Sequence, residues 1–116
     1  MSETPRLWFQ IRVGEGRFGP GKAELLRHIR ETGSISAAAR RMDMSYRRAW
    51  TLLEAVNALT DAPAVTTERG GAKGGGASLT PRGEALLDAY ETLAGELAQT
   101  AAPTLKAVAT MLPADE

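Results

Sequence analysis

A glycine-rich segment between two strand-like stretches is the feature that most limits the folds open to this chain. Five of the seven residues from 70 to 76 are glycine. The β-branched stretch from Ala64 to Arg69 comes before this segment, and Ala77 to Leu79 follows it as a returning strand. Strand-like stretches joined by glycines are typical of a β-hairpin with a long tip. The sequence therefore predicts one such hairpin, a wing, within a chain whose other patterns are mostly helical.

Three helical patterns come before the wing. The predicted helices run from Lys22 to Thr32, from Ala37 to Met42 and from Ser45 to about Leu59. Gly33 stands where a left-handed C-terminal cap belongs, and Ser36 and Ser45 are suited to cap the second and third helices. Asp43-Met44 predicts a tight turn between those two helices. The third helix keeps its apolar residues at helical spacing, which indicates one face directed at a core.

The N-terminal residues alternate between apolar and polar. Leu7 to Val13 has this period of two and predicts a strand. Gly14 to Gly16 is a turn signal, and Arg17-Phe18 predicts a short returning strand that ends at Gly19. The sequence therefore predicts a second, N-terminal hairpin.

A long amphipathic helix is predicted after the wing. Thr80 is suited to the N-cap and Pro81 to the first helical position. Pro103 is expected to end or kink this helix, and residues 104–112 are expected to form one more short helix. The order strand, three helices, strand, loop, strand, helix is that of a winged helix-turn-helix. The fold class is thus mainly α with a small antiparallel β component, an N-terminal hairpin and a long C-terminal dimerisation helix.

A chain of 116 residues fits one domain of ordinary size. We expect residues 1–116 to form a single winged helix-turn-helix domain. Within it, 6–80 would contain the strand, the helix-turn-helix and the wing, and 81–112 the C-terminal helical segment.

Several function classes conflict with the composition. Without cysteine, the chain has no thiol chemistry and no Cys-based zinc site. The single histidine, His28, makes a His-rich metal site or a Ser/His nucleophilic pair improbable. We expect no catalytic residues, no metal and no cofactor. The apolar runs are too short for a membrane span and the N-terminus has no hydrophobic signal segment, so we expect a cytoplasmic protein with no membrane partner.

The charge is unevenly distributed although the net charge is zero. Residues 1–82 contain 13 basic and 8 acidic side chains, whereas 83–116 contain one basic and six acidic ones. The first segment thus carries +5 and the second −5. Such segregation can leave one basic face on a neutral molecule, and a basic face is the usual sign of nucleic-acid binding.

Four motifs resemble those of a known family, the ModE-type molybdate-responsive regulators. They are Gly33-Ser-Ile-Ser-Ala-Ala-Ala39, Met44-Ser-Tyr-Arg-Arg-Ala-Trp50, Glu68-Arg-Gly-Gly-Ala-Lys-Gly-Gly-Gly76 and Leu79-Thr-Pro-Arg-Gly83. The resemblance covers roughly residues 6 to 95, the DNA-binding domain of that family, and implies DNA binding and dimerisation. No segment resembling the family's molybdate-binding β-barrel repeats follows residue 95, so molybdate binding by this chain is not implied.

The third helix is the candidate recognition helix. With Ala49, Leu53 and Val56 toward the core, a rotation of about 100° per residue puts Arg47 and Thr51 on the opposite side. A first-turn arginine on that face is suited to guanine edges, and threonine to thymine or adenine. Further expected contacts come from the helix start and the flanks of this face: the candidate residues are Ser45, Tyr46, Arg47, Arg48 and Thr51. Tyr46 is equally suited to packing, Trp50 is more suited to packing, and a solvated charged face is the alternative for the arginines.

Arg69 and Lys73 complete the candidate DNA-binding residues. They are the basic residues of the wing, where glycines allow a close approach to a groove and the cations face phosphates. A phosphate-binding P-loop is excluded because Lys73 is followed by Gly74 rather than Ser or Thr. A loop without a role is the alternative.

The last helix is predicted to pair two copies of the chain. Its apolar stripe is longer than a small domain can cover. Two-fold pairing would cover it and would present two recognition helices to one duplex. The predicted interface residues are Tyr90, Leu93, Leu97, Leu105 and Val108.

The sequence therefore favours a sequence-specific, homodimeric, double-stranded-DNA-binding transcriptional regulator, and the family resemblance implies a link to molybdate metabolism. Two alternatives stay open. One is a small molybdate- or oxyanion-binding or carrier protein. The other is a winged-helix protein-interaction module that does not read DNA. An enzyme is disfavoured because no nucleophile–base pair or cofactor motif is present.

Overall fold

Helices and two small antiparallel hairpins make up the structure, a computed structural model that describes residues 5–68 and 76–112. This confirms the predicted fold class, mainly α with a small β component. The elements in chain order are β1 (Ile11–Val13), β2 (Gly16–Phe18), α1 (Pro20–Thr32), α2 (Ile35–Arg41), α3 (Tyr46–Leu59), β3 (Val65–Glu68), β4 (Gly76–Leu79) and α4 (Pro81–Met111). β1 pairs only with β2, and β3 only with β4, among the described strands.

The N-terminal hairpin is shorter than predicted. Strand pairing covers only Ile11–Val13, whereas the alternation predicted a strand from Leu7. The partner strand sets this limit, because Pro20 begins α1 directly after β2 and leaves no backbone for residues 7–10 to pair with. Leu7 and Val13 are exposed rather than part of one buried face. The turn itself forms as predicted, with Gly14 in the left-handed region at φ 60°.

The first two helices differ from the prediction at their starts. α1 begins two residues early, at Pro20, and ends as predicted at Gly33, whose N–H donates to the Ile29 carbonyl at 2.8 Å. α2 is capped by Ser34, not Ser36, and begins at Ile35. With this start, Ile35 shares one buried face with Ala38 and Ala39, which lie three and four positions later. Burial of the isoleucine explains the choice between two serines of equal capping ability.

The start of α3 is as predicted, and this fixes which side chains its first turn exposes. Asp43 adopts the left-handed conformation at φ 57°, and the Met44 N–H donates to the Ala39 carbonyl at 3.0 Å. The chain thereby turns from α2 into α3. The buried residues Ala49, Leu53 and Val56 direct one face of α3 at the core.

The long helix α4 continues through Pro103, so the helix does not end at this proline, and of the two predicted effects only a kink stays a prediction. Thr80 caps it as predicted, accepting the Gly83 N–H, and Pro81 is its first residue. Proline removes a single N–H from the helix ladder, and the neighbouring Ala101 and Ala102 are the strongest helix formers. The predicted separate helix over 104–112 is the last part of α4.

The core is formed where α1 meets α3 and the first part of α4. Its fully buried side chains include Leu25, Leu26, Ile29, Val56 and Leu87. Because α4 contributes to it, the C-terminal helix is packed on the helix-turn-helix rather than separate from it.

Tyr90 belongs to this core and not to a free surface, which corrects its prediction as an interface residue. Its ring stacks on Phe9 at 4.5 Å and meets Phe18 edge-on. Its hydroxyl donates to the Phe9 carbonyl at 2.7 Å, and the residue is 6% exposed. Burial raises the pKa of Tyr90, and the charge of Arg27 opposes that rise. The aromatic contacts hold the N-terminal segment against α4.

Candidate nucleic-acid interface

The outward face of α3 carries cations and hydroxyls. Arg47, Arg48 and Thr51 are exposed, on the side away from Ala49 and Leu53. Among the described residues, neither arginine forms an ion pair. Both guanidinium groups are therefore available to an external anion or to the acceptor atoms of a guanine.

The N-terminus of α3 adds backbone donors to this face. The Ser45 hydroxyl accepts the Arg48 N–H at 3.0 Å, and the Ser45 carbonyl accepts the Ala49 N–H. The N–H groups of Tyr46 and Arg47 have no acceptor among the described residues. Unpaired N–H groups at the positive end of a helix dipole suit a phosphate oxygen.

Aromatic packing supports this end of the helix. Trp50 is half-buried and packs against the core, in agreement with the packing interpretation. Tyr46 is exposed, and its ring lies nearly parallel to that of Trp50, with the centroids 6.5 Å apart. The Tyr46 hydroxyl forms no hydrogen bond with the described residues and is exposed to solvent.

Thr51 has already committed one hydrogen-bonding group. Its hydroxyl donates to the Arg47 carbonyl at 3.0 Å, within the helix. In this rotamer Thr51 presents two groups to a base. Its methyl group suits the methyl of thymine, and its hydroxyl oxygen can still accept a hydrogen bond.

Ion pairs elsewhere neutralise part of the basic segment. Arg27 and Arg30 of α1 pair with Glu91 and Glu84 of α4, at 3.0 and 3.3 Å. The acidic C-terminal helix thus compensates α1, and its carboxylates pair with no residue of α3 in the described chain. Arg41 pairs with Glu31 at 2.7 Å. The positive charge left without a partner includes that at the start of α3.

The wing leaves the helix-turn-helix as a regular hairpin. Val65 pairs with Leu79 and Glu68 with Gly76. The wing base is tied to α1 by the Ala77 N–H, which donates to the Gly33 carbonyl at 3.0 Å. Arg69 and Lys73, the two predicted contacts of the wing, lie outside the described residues.

Asn57 is a residue that the sequence analysis missed. It lies on α3, and its side chain makes three hydrogen bonds to the start of β3. The only sign of this role in the sequence is that asparagine is a poor helix former and stands near the end of a helix. That sign does not identify the backbone groups to which the side chain bonds.

Other site types find no support in the part of the chain that the structure describes. No three side chains of the kind that bind metals come together there. No helix among the same residues combines the length and apolarity needed to cross a bilayer.

Known proteins resemble this chain over most of its length. The molybdenum-pterin-binding protein MopB of Rhodobacter capsulatus is 48% identical over 83 residues, 72% of this chain. The transcriptional regulator ModE of Haemophilus influenzae is 40% identical over 74 residues, and the DNA-binding transcriptional dual regulator ModE of Escherichia coli K12 is 40% identical over 75 residues. The chain covers only 31%, 29% and 29% of these three proteins. No family model matches the chain.

Proposed function

We propose that this chain, which is similar to part of the ModE regulators, binds double-stranded DNA in a sequence-specific manner as a homodimeric transcriptional regulator. α3 would enter the major groove with Ser45, Tyr46, Arg47, Arg48 and Thr51 toward the DNA. Arg69 and Lys73 of the wing would contact the backbone. Such a regulator would act in the cytoplasm, and relatives named as molybdenum-pterin-binding and molybdenum transport proteins suggest genes of molybdenum metabolism as targets.

One observation carries this proposal. Arg47 and Arg48 are exposed in the first turn of a capped helix and form no ion pair with any residue that the structure describes, while α4 neutralises two arginines of α1. Cations in this position suit a duplex, because the attraction of its phosphates is strongest for cations that have no partner within the protein.

Molybdate sensing is not part of the proposal. The chain spans about a third of the relatives whose names include molybdenum. We infer that the matched segment is the DNA-binding part, acting as one domain in which α4 completes the core.

The dimer would form along α4 beyond Tyr90. Leu93 and Leu97 are each 39% exposed, and no residue of α4 after Tyr90 is buried. Leu105 and Val108 continue the stripe and are half-buried. An apolar cleft of about 220 Å³ lies between the N-terminal segment and this part of α4. A second α4 would cover both features.

Arg47→Ala and Lys73→Ala test the assignment of helix and wing. The preferred site is first selected from random duplexes, and each variant is then titrated on this site and on a scrambled duplex over a salt series. Arg47→Ala should lose about 1–3 kcal/mol on the selected site and relax sequence preference, since it loses a base contact. Lys73→Ala should weaken both duplexes equally and lower the salt slope by about one per wing.

Arg12→Ala is the control, because it removes an equal charge from an exposed position of β1, outside the proposed interface. A parent protein that binds no duplex at low salt would refute DNA binding. If Lys73→Ala alone altered the preference for the selected site, the roles of helix and wing would be reversed.

A further inference from the structure

The side chain of Asn57 joins α3 directly to the wing. Its Oδ1 accepts the N–H groups of Ala64 at 2.8 Å and Val65 at 3.1 Å, and its Nδ2 donates to the Val65 carbonyl at 3.2 Å. Both partners are buried, at 0% and 3% exposure. One amide group therefore satisfies three backbone groups where the wing begins.

No other hydrogen bond in the described chain links α3 to β3. The connection between them, residues 60–64, has no regular structure. The remaining bonds at the wing base lead to other elements. The Thr80 hydroxyl donates to the Pro63 carbonyl at 2.6 Å and the Thr80 N–H donates to the Ala64 carbonyl at 3.0 Å, which joins the wing base to the start of α4. The Ala77 N–H donates to the Gly33 carbonyl at 3.0 Å, which joins β4 to the end of α1. In the described chain, Asn57 is therefore the side chain whose hydrogen bonds join the wing base directly to α3.

We propose that Asn57 is a positioning residue that sets the angle between the recognition helix and the wing, so that both contact one duplex at the same time. The proposal rests on the proposed function. Asn57 is itself half-buried and is assigned no DNA contact. Its effect on binding arises because a wing held at the correct angle loses less conformational freedom when it meets the DNA.

This role has a consequence that a purely stabilising residue lacks. If Asn57 holds the wing in place, its removal should reduce the benefit of wing contacts and leave the base contacts of α3 unchanged. Two substitutions whose effects depend on each other in this way give a non-additive result in a double-mutant cycle, whereas independent ones add.

The test is a pair of double-mutant cycles on the selected duplex. Asn57→Ala is combined with Lys73→Ala in one cycle and with Arg47→Ala in the other. We expect Asn57→Ala alone to weaken DNA binding about tenfold. In a protein that already carries Asn57→Ala, adding Lys73→Ala should weaken DNA binding further by less than about twofold. The fold-loss from Arg47→Ala should be the same with Asn57 and without it.

Two further variants separate positioning from folding. Thr60→Ala removes a hydroxyl that bonds within the last turn of α3, so it perturbs the same helix end without touching β3. Asn57→Asp keeps both acceptor bonds to Ala64 and Val65 and replaces the assay variant if Asn57→Ala fails to fold. Hydrogen exchange of the Ala64 and Val65 amides should accelerate in Asn57→Ala and less so in Asn57→Asp.

The outcomes are distinct. Strictly additive losses for Asn57 and Lys73, with a folded protein and a wild type that binds DNA, would overturn the positioning role. The positioning role would also be overturned if the loss of binding from Arg47→Ala depended on Asn57 as strongly as the loss from Lys73→Ala does. A wild type that binds no duplex would instead refute the proposed function, and the amide exchange would still report whether Asn57 holds the wing base.

Discussion

At the residue scale, side-chain oxygens decide where three of the helices begin. Ser34, Ser45 and Thr80 each accept the N–H of the residue three positions later, a group that the helix itself leaves unsatisfied. The cap at Ser45 also determines that Arg47 and Arg48 fall in the first turn of α3.

Replacing Ser34 by alanine should destabilise the protein, and replacing Ser36 should not. Ser34→Ala removes the acceptor of the Ala37 N–H, a hydrogen bond of 3.1 Å, and should lower the free energy of unfolding by about 0.5–2 kcal/mol. Ser36 is exposed in the first turn of α2, where alanine is the better helix former, so Ser36→Ala should be neutral or slightly stabilising. Urea unfolding of both variants measures the difference. Equal losses would mean that Ser34 does not act as the cap.

The residues that sequence reasoning identified are those governed by local rules. Gly33, Ser45 and Thr80 follow from the capping preferences of a few neighbouring residues. Ser34 and Ser36 are equivalent by the same preferences, and only the burial of Ile35 in the folded chain separates them. Asn57 bonds to residues seven and eight positions away across an irregular connection, and no periodic pattern encodes such a contact.

At the element scale, the wing and α4 meet at a contact that excludes a side chain. A Cβ added to Gly83 would overlap the backbone carbonyl oxygen of Ala64. That carbonyl also accepts the Thr80 N–H, so it cannot move without breaking this bond. The close approach of α4 to the wing base therefore depends on a glycine in the first turn of the helix.

Gly83→Ala and Gly95→Ala should change stability in opposite directions. Both are helical glycines of α4, but a Cβ at Gly95 meets nothing within 4 Å. Gly95→Ala should stabilise the protein by about 0.5–1 kcal/mol, because alanine loses less backbone freedom in a helix. Gly83→Ala should destabilise it by about 1–3 kcal/mol, since the added methyl group forces the helix away from Ala64. Thermal unfolding of both variants is the measurement, and a stabilising Gly83→Ala would contradict this packing.

Element types were more predictable than element limits. The helices and both hairpins follow from periodicity and turn residues. The first strand is shorter than its alternation indicates because a strand extends only as far as its partner, and β2 ends where α1 begins. α4 continues past Pro103 because helix formers surround a residue that removes one hydrogen bond. The ends of elements thus depend on the length of the partner strand and on the combined helix preferences of several neighbouring residues, which the preference of a single residue does not include.

On the scale of the whole molecule, the acidic C-terminal helix and the basic N-terminal segment divide the surface. The sequence predicted this segregation, but it could not say which basic residues the acids neutralise. Glu84 and Glu91 face Arg30 and Arg27 because α4 packs on α1, and this packing is a property of the tertiary fold. The arginines of α3 keep their charge without an ion pair among the described residues, because α4 lies against α1 instead.

The same packing leaves the last part of α4 uncovered, and this underlies the final prediction. The helix is about 46 Å long at 1.5 Å per residue, yet its buried residues end at Tyr90. Leu93→Glu with Leu97→Glu would bury carboxylates in a paired helix and should raise the dimer dissociation constant at least about a hundredfold. Thr92→Glu with Gln99→Glu adds equal charge on the opposite side of α4 and should leave the dimer intact. Light scattering over a concentration series, with circular dichroism to verify folding, distinguishes the two variants. A monomeric parent protein, or a folded leucine variant that stays dimeric, would contradict pairing through α4.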